Sequence, residues 1–170
     1  FQSAGQRCSA LRVLYLQDDV AEPMLEMIRG GFAALTIGDP SDLPTDVGPV
    51  IDEAARARLE AHVAACEAAG WPGTRLPLPP AAAKGCFVAP TIIEVPSIRA
   101  LTDEHFGPIL HVARFRAGEL EQVVEDINAT GFGLTLGLHS RIAATRDFVR
   151  ARARVGNFYV NRNQIGAVVE

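Results

Sequence analysis

One hundred and seventy residues fit one ordinary domain and exclude a multidomain reading of this chain. With 48 % hydrophobic and 21 % charged residues the chain can bury a real core, which excludes intrinsic disorder. The net charge is −4, Lys84 is the only lysine among 16 basic residues, and no basic stripe runs along the chain, so nucleic acid is not expected to bind this segment.

Residues 10–17 form a short apolar run with β-branched and aromatic content, which predicts a buried strand. Asp18 and Asp19 offer a cap for a helix that tolerates Pro23 in its first turn and places Val20, Met24, Met27 and Leu35 on one face. Residues 38–50 are rich in Gly and Pro and read as turns. A second helix opens at Asp52, keeps Ala55, Leu59, Val63 and Cys66 on one side, and stops at Gly70-Trp71-Pro72-Gly73. The Pro-rich stretch 76–84 predicts an irregular surface loop, and strands follow at 87–89, 91–95 and 109–115. A helix over 119–127, a strand over 134–138, a helix over 142–153 and a strand over 158–160 complete the chain. No internal repeat appears. Strands alternating with helices predict an α/β fold with a mostly parallel sheet covered on both faces.

Cys8, Cys66 and Cys86 cannot close a disulfide framework, and their spacing matches no zinc pattern. Reduced thiols and a cytoplasmic location are therefore expected. No apolar run reaches the ~20 residues of a membrane helix, and the opening lacks the basic-then-apolar order of a signal peptide. The chain starts without methionine and is expected to be a piece of something longer.

Chemistry is expected first at Cys8. Gly5 frees the backbone just before it, and the small Ser9 and Ala10 leave space beside the sulfur. A thiol at such a junction can receive backbone N–H groups that lower its pKa and hold a developing oxyanion. A cysteine is more often a small buried hydrophobe, and that plain reading is preferred for Cys66, on an apolar helical face, and Cys86, entering a strand. His62, His105, His111 and His139 show no ligand-like clustering, so no metal is expected. The glycines from Gly131 to Gly137 precede a strand instead of following one, unlike a dinucleotide fingerprint. Arg141, Arg146, Arg150, Arg152 and Arg154 read as a solvated face or a contact with another domain or subunit.

Phe1 through Arg12 resembles the cysteine signature of the aldehyde dehydrogenase superfamily, in which a phenylalanine and then Gly-Gln-x-Cys surround the nucleophile. Glu104-His105-Phe106-Gly107-Pro108 is similar to the superfamily's Glu-x-Phe-Gly-Pro motif. Thr45–Ile51, Phe106–Val112 and Gly156–Val169 narrow the resemblance to glutamate semialdehyde dehydrogenases, including those forming part of bifunctional proline-catabolic enzymes. The resemblance implies the catalytic domain of an aldehyde dehydrogenase fold over 1–170, with Cys8 as nucleophile. It implies NAD as cofactor, with Glu104 accepting hydrogen bonds from the nicotinamide ribose and Phe106 packing beside it. It also implies that Ser9, Gly166 and Ala167 hold the carboxylate of glutamate γ-semialdehyde, a small-molecule substrate oxidised to glutamate in proline catabolism.

The family's oxyanion asparagine, general-base glutamate and nucleotide-binding half correspond to positions before Phe1, so the isolated chain is expected neither to bind NAD tightly nor to turn over. Any FAD would belong to a separate proline dehydrogenase domain, and a homo-oligomer is expected. Glu170 departs from the family, which continues there with a glycine. Two other readings stay open: a relative with another substrate, such as a CoA-acylating one, and a non-catalytic α/β interaction domain that keeps the motif as scaffold.

Overall fold

The computed structural model describes residues 1–165. Strand β1 (Val13–Gln17) starts later than predicted, because a turn closed by the Ala10 N–H donating to the Arg7 carbonyl (3.1 Å) takes up the preceding residues. Helix α1 (Asp18–Ala33) follows at once. Gln17 occupies its cap position, and the two aspartates predicted as caps lie inside the first turn, where their charge meets the positive end of the helix dipole. Pro23 is the sixth helical residue, past the first turn, and removes the N–H that would reach the Asp19 carbonyl. The face is also corrected. Ala21, Leu25 and Phe32 are buried, while Val20, Met24 and Met27 stay exposed and Leu35 lies past the helix end.

Helix α2 (Glu53–Ala68) matches expectation: the Asp52 side chain accepts the Ala55 N–H at 2.6 Å, and Ala55, Leu59, Val63 and Cys66 are buried. Strand β2 (Gly73–Arg75) was read from the sequence only as the end of that helix; three exposed residues are too few for a periodic signal. Pro80–Lys84 makes a 3-10 turn inside the stretch expected to be irregular. Strand β3 is Thr91–Glu94, and 87–89 is extended chain outside any sheet. Strand β4 (Ile109–Phe115), helix α3 (Leu120–Ala129), strand β5 (Thr135–Leu138), helix α4 (Ala143–Arg152) and strand β6 (Asn157–Val160) fall where predicted to within a few residues.

The main sheet has the order β1-β4-β3-β2, with β1–β4 and β3–β4 parallel and β2 an antiparallel edge. Strands β5 and β6 form a separate parallel pair joined through α4. Strand alternation sends Leu16, Ile92, Leu110 and Val112 into a core with Leu25 and Phe32 of α1. Ile93, Ile109 and Ala113 face the other way, into a core with Leu59, Val63 and Cys66 of α2. Helices therefore cover both faces of an α/β sheet, as expected. Because β4 is central, the loop entering it at residues 104–108 comes to lie beside the turn that precedes β1.

Candidate active site

The segment before Cys8 is wound unusually. Ser3, Ala4 and Gly5 all take positive φ, at 51°, 50° and 67°. Only Gly5 makes a contact that forbids a side chain: a Cβ there would sit 1.9 Å from the Gly107 carbonyl oxygen. Gly107 is confined less rigidly, by a side chain: a Cβ there would lie 2.5 Å from Leu59 Cδ2 of α2. The two glycines let the Cys8 loop, the Glu104–Pro108 loop and α2 stack without a gap. Gln6 ties in a third segment, donating from Nε2 to the Pro49 carbonyl (3.3 Å) and accepting the Ile51 N–H at Oε1 (2.8 Å). Motifs scattered over a hundred residues of sequence thus meet at one place.

Cys8 and Ser9 are the central residues of the turn spanning 7–10. Cys8 is exposed and Ser9 is buried. Arg12, four residues on, joins this turn to the other loop. Its Nη1 donates to the Gly5 carbonyl and its Nη2 to the Arg7 carbonyl, each at 2.9 Å. Its Nε donates to Glu104 Oε1 at 3.0 Å, and its guanidinium carbon stands 4.2 Å from the centre of the Phe106 ring. Among the described residues no donor reaches Glu104 Oε2, and Phe106 remains 42 % exposed, so one carboxylate oxygen and one aromatic ring are left to face a ligand. Cys8, Glu104 and Phe106 are thus set around one arginine. Sequence reading missed Arg12 as a functional residue, although an arginine just after a candidate nucleophile and an acid before a strand was a usable signal. Gly166 and Ala167 lie outside the described residues.

The histidines correct the sequence reading. His62 on α2 and His111 on β4 meet with their Nε2 atoms 2.8 Å apart, and His105 stacks on His62 at 3.5 Å between ring centres. Cys66 Sγ lies 3.6 Å from His62 Nε2. They cluster because α2 packs over β4, a neighbourhood that sequence spacing does not show. Burial, first of all, pushes His62 and His111 down to about 4 and lowers His105, so all stay neutral near pH 7. Burial pushes the Cys66 thiol up, in keeping with a core cysteine. Cys86 stays partly exposed, 3.9 Å from Glu53 Oε2.

A glycine-backed cysteine turn beside a Glu-x-Phe-Gly loop, on a mostly parallel sheet with helices on both faces, is the architecture of an aldehyde dehydrogenase catalytic domain. The chain belongs to the aldehyde dehydrogenase family, whose model matches residues 1–170. It is 51 % identical to the bifunctional protein PutA of Salmonella typhimurium, over 99 % of this chain and 13 % of that protein. Proline utilization A of Bradyrhizobium japonicum has the same fold at a TM-score of 0.90 and 53 % identity, matching 99 % of this chain and 17 % of its own. A 1-pyrroline-5-carboxylate dehydrogenase from Thermus, solved with bound NAD, aligns at a TM-score of 0.83 and 31 % identity over 98 % of this chain and 32 % of its own. The chain therefore spans only a minor part of each of these relatives. Among the described residues no helix is long and apolar enough to cross a membrane.

Proposed function

We propose that this chain is the cysteine-bearing catalytic domain of an NAD-dependent glutamate γ-semialdehyde dehydrogenase acting in proline catabolism. The observation that carries the proposal is the Arg12 joint, which sets an exposed Cys8 turn against Glu104 and Phe106. Likeness over nearly the whole chain to PutA and to 1-pyrroline-5-carboxylate dehydrogenase supports the substrate.

Cys8, as thiolate, attacks the aldehyde carbon, and its backbone N–H stands at the turn where the new oxyanion needs a donor. Bound beside Cys8, NAD would supply the hydride acceptor for the oxidation. The chain's own contribution to the cofactor is Glu104 and Phe106. The Oε2 atom of Glu104 suits a ribose hydroxyl donor, and the exposed Phe106 ring suits the edge of a flat heterocycle. Arg12 keeps that carboxylate oriented. Ser9, Gly166 and Ala167 would bind the substrate carboxylate at the end opposite the aldehyde. The polypeptide works in the cytoplasm as a homo-oligomer. Phe132, Leu134 and Ile142, exposed around β5 and α4, supply apolar surface for further domains or subunits to cover. Any FAD belongs to a separate proline dehydrogenase domain.

The test is NADH formation by the full-length polypeptide with glutamate semialdehyde and with propionaldehyde. A strong preference for the semialdehyde is expected, and Cys8→Ser should lower the rate by at least about a thousandfold. Undiminished activity in Cys8→Ser would overturn the mechanism, and equal use of both aldehydes would overturn the substrate.

A further inference from the structure

His62 and Cys66 are four residues apart on α2 and so share the side of the helix that faces β4. His111, buried on β4, meets them there. The protons on this cluster follow from its fixed end. His111 Nδ1 lies 3.0 Å from the Arg12 carbonyl, which can only accept, so Nδ1 carries the hydrogen and Nε2 presents a lone pair. His62 therefore donates from Nε2 across the 2.8 Å contact. An imidazole oriented through its far nitrogen by a backbone carbonyl, with its near lone pair turned to a second imidazole that itself lies beside a thiol, has the usual second-shell arrangement of a metal ligand.

We propose that His62, Cys66 and His111 form a three-ligand site for a thiophilic divalent cation of the Zn2+ class. Their ligand atoms all lie within 4.8 Å of one another. A tetrahedral ion with bonds of about 2.0 Å to nitrogen and 2.3 Å to sulfur sets N···N near 3.3 Å and N···S near 3.6 Å. The His62–Cys66 separation is already 3.6 Å. The imidazole pair must open from its 2.8 Å contact by about half an ångström, the ion taking the place of the shared hydrogen, and Cys66 and His111, whose ligand atoms lie within 4.8 Å, must come to the same N···S distance of about 3.6 Å. Two imidazoles and a thiolate select Zn2+ or Co2+ over Mg2+ or Ca2+, which require oxygen ligands. Entry runs along the half-buried edge of His62, beside the stacked ring of His105, and water completes the coordination. Asp103 faces this edge and favours a cation, while Arg12 opposes one.

The proton balance is defined. The hydrogen on His62 moves from Nε2 to Nδ1, and the Cys66 thiol releases one proton to solvent as the S–metal bond forms. Affinity therefore rises by about tenfold per pH unit while Cys66 is a thiol in the free protein. Both imidazoles are already neutral near pH 7 and add nothing to this slope.

The experiment is an anaerobic Co2+ titration of the chelator-treated, full-length polypeptide, read by absorption and independent of dehydrogenase activity. One equivalent should raise a thiolate-to-cobalt band in the near ultraviolet together with intense tetrahedral bands in the visible, both abolished by Zn2+. Cys66→Ser should remove the near-ultraviolet band, His62→Gln should weaken binding by at least about tenfold, and Cys8→Ser should leave the spectrum unchanged. His62 is only half-buried, so His62→Gln preserves the test if Cys66→Ser does not fold. Absence of these bands, or bands that persist in both His62→Gln and Cys66→Ser, would overturn the site and leave a hydrogen-bonded histidine pair.

Discussion

Arg12 carries three hydrogen bonds and an aromatic face at once, so its loss is felt at two places. Arg12→Ala frees the Gly5 and Arg7 carbonyls that shape the Cys8 turn and removes the partner of Glu104. Displacements of about an ångström at reacting groups cost roughly a hundredfold, and a loss of that size in kcat, with a raised KM for NAD, is the expected outcome in steady-state kinetics. Lysine cannot reach the two carbonyls and the carboxylate from one planar group, so Arg12→Lys should recover little of it. A variant with Arg12→Ala kinetics equal to wild type would show that the turn holds without this joint. At this scale the motifs that hold Cys8, Glu104 and Phe106 were legible, because the residues of each are neighbours in sequence. Arg12 and the histidine cluster were not, because what defines them is a partner some fifty to a hundred residues away.

Two loops pack here backbone to backbone, and the Leu59 side chain of α2 closes on the second of them. Gly5 stands against the Gly107 carbonyl, and Gly107 stands against Leu59, so the usual tolerance for a small substitution is absent. Gly5→Ala combines a left-handed backbone with a direct clash and should destabilise by roughly 2–5 kcal/mol. Chemical denaturation of the full-length polypeptide would measure it, and a change under about 1 kcal/mol would mean the loops separate at little cost. Element placement in the sequence was good wherever one face is buried over several turns, as in α2 and β4. It failed for β2, which is too short, and for the face of α1. There Val20, Met24 and Met27 lie next to the Ala21, Leu25 and Phe32 stripe, and hydrophobicity alone cannot say which of two adjacent apolar stripes meets the sheet.

Across the whole molecule, the buried histidines couple stability to pH. His62 and His111 fall to about 4 when folded, against an ordinary value near 6.5 when unfolded. The unfolded chain therefore binds more protons between these values, and stability, complete above about pH 6.5, declines as pH falls toward 4. The urea midpoint should drop across this window, and His111→Gln should flatten the slope. A midpoint as steep in His111→Gln as in the wild type would assign the acid sensitivity to other groups.

The α/β class, the order of nearly all elements and the family were already legible along the chain, as was the motif on which the proposed nucleophile rests. These are written in local periodicity and in contiguous motifs, where neighbours along the chain are neighbours in space. Which stripe of α1 is inside, the contact of Gly5 with Gly107, the Arg12 joint between the cysteine turn and Glu104, and the meeting of His62, Cys66 and His111 became visible in the folded chain alone. Each of these depends on β4 taking the position beside β1 and beneath α2. That placement is selected by the simultaneous burial of both sheet faces, an energy summed over the whole fold and not encoded in any one segment.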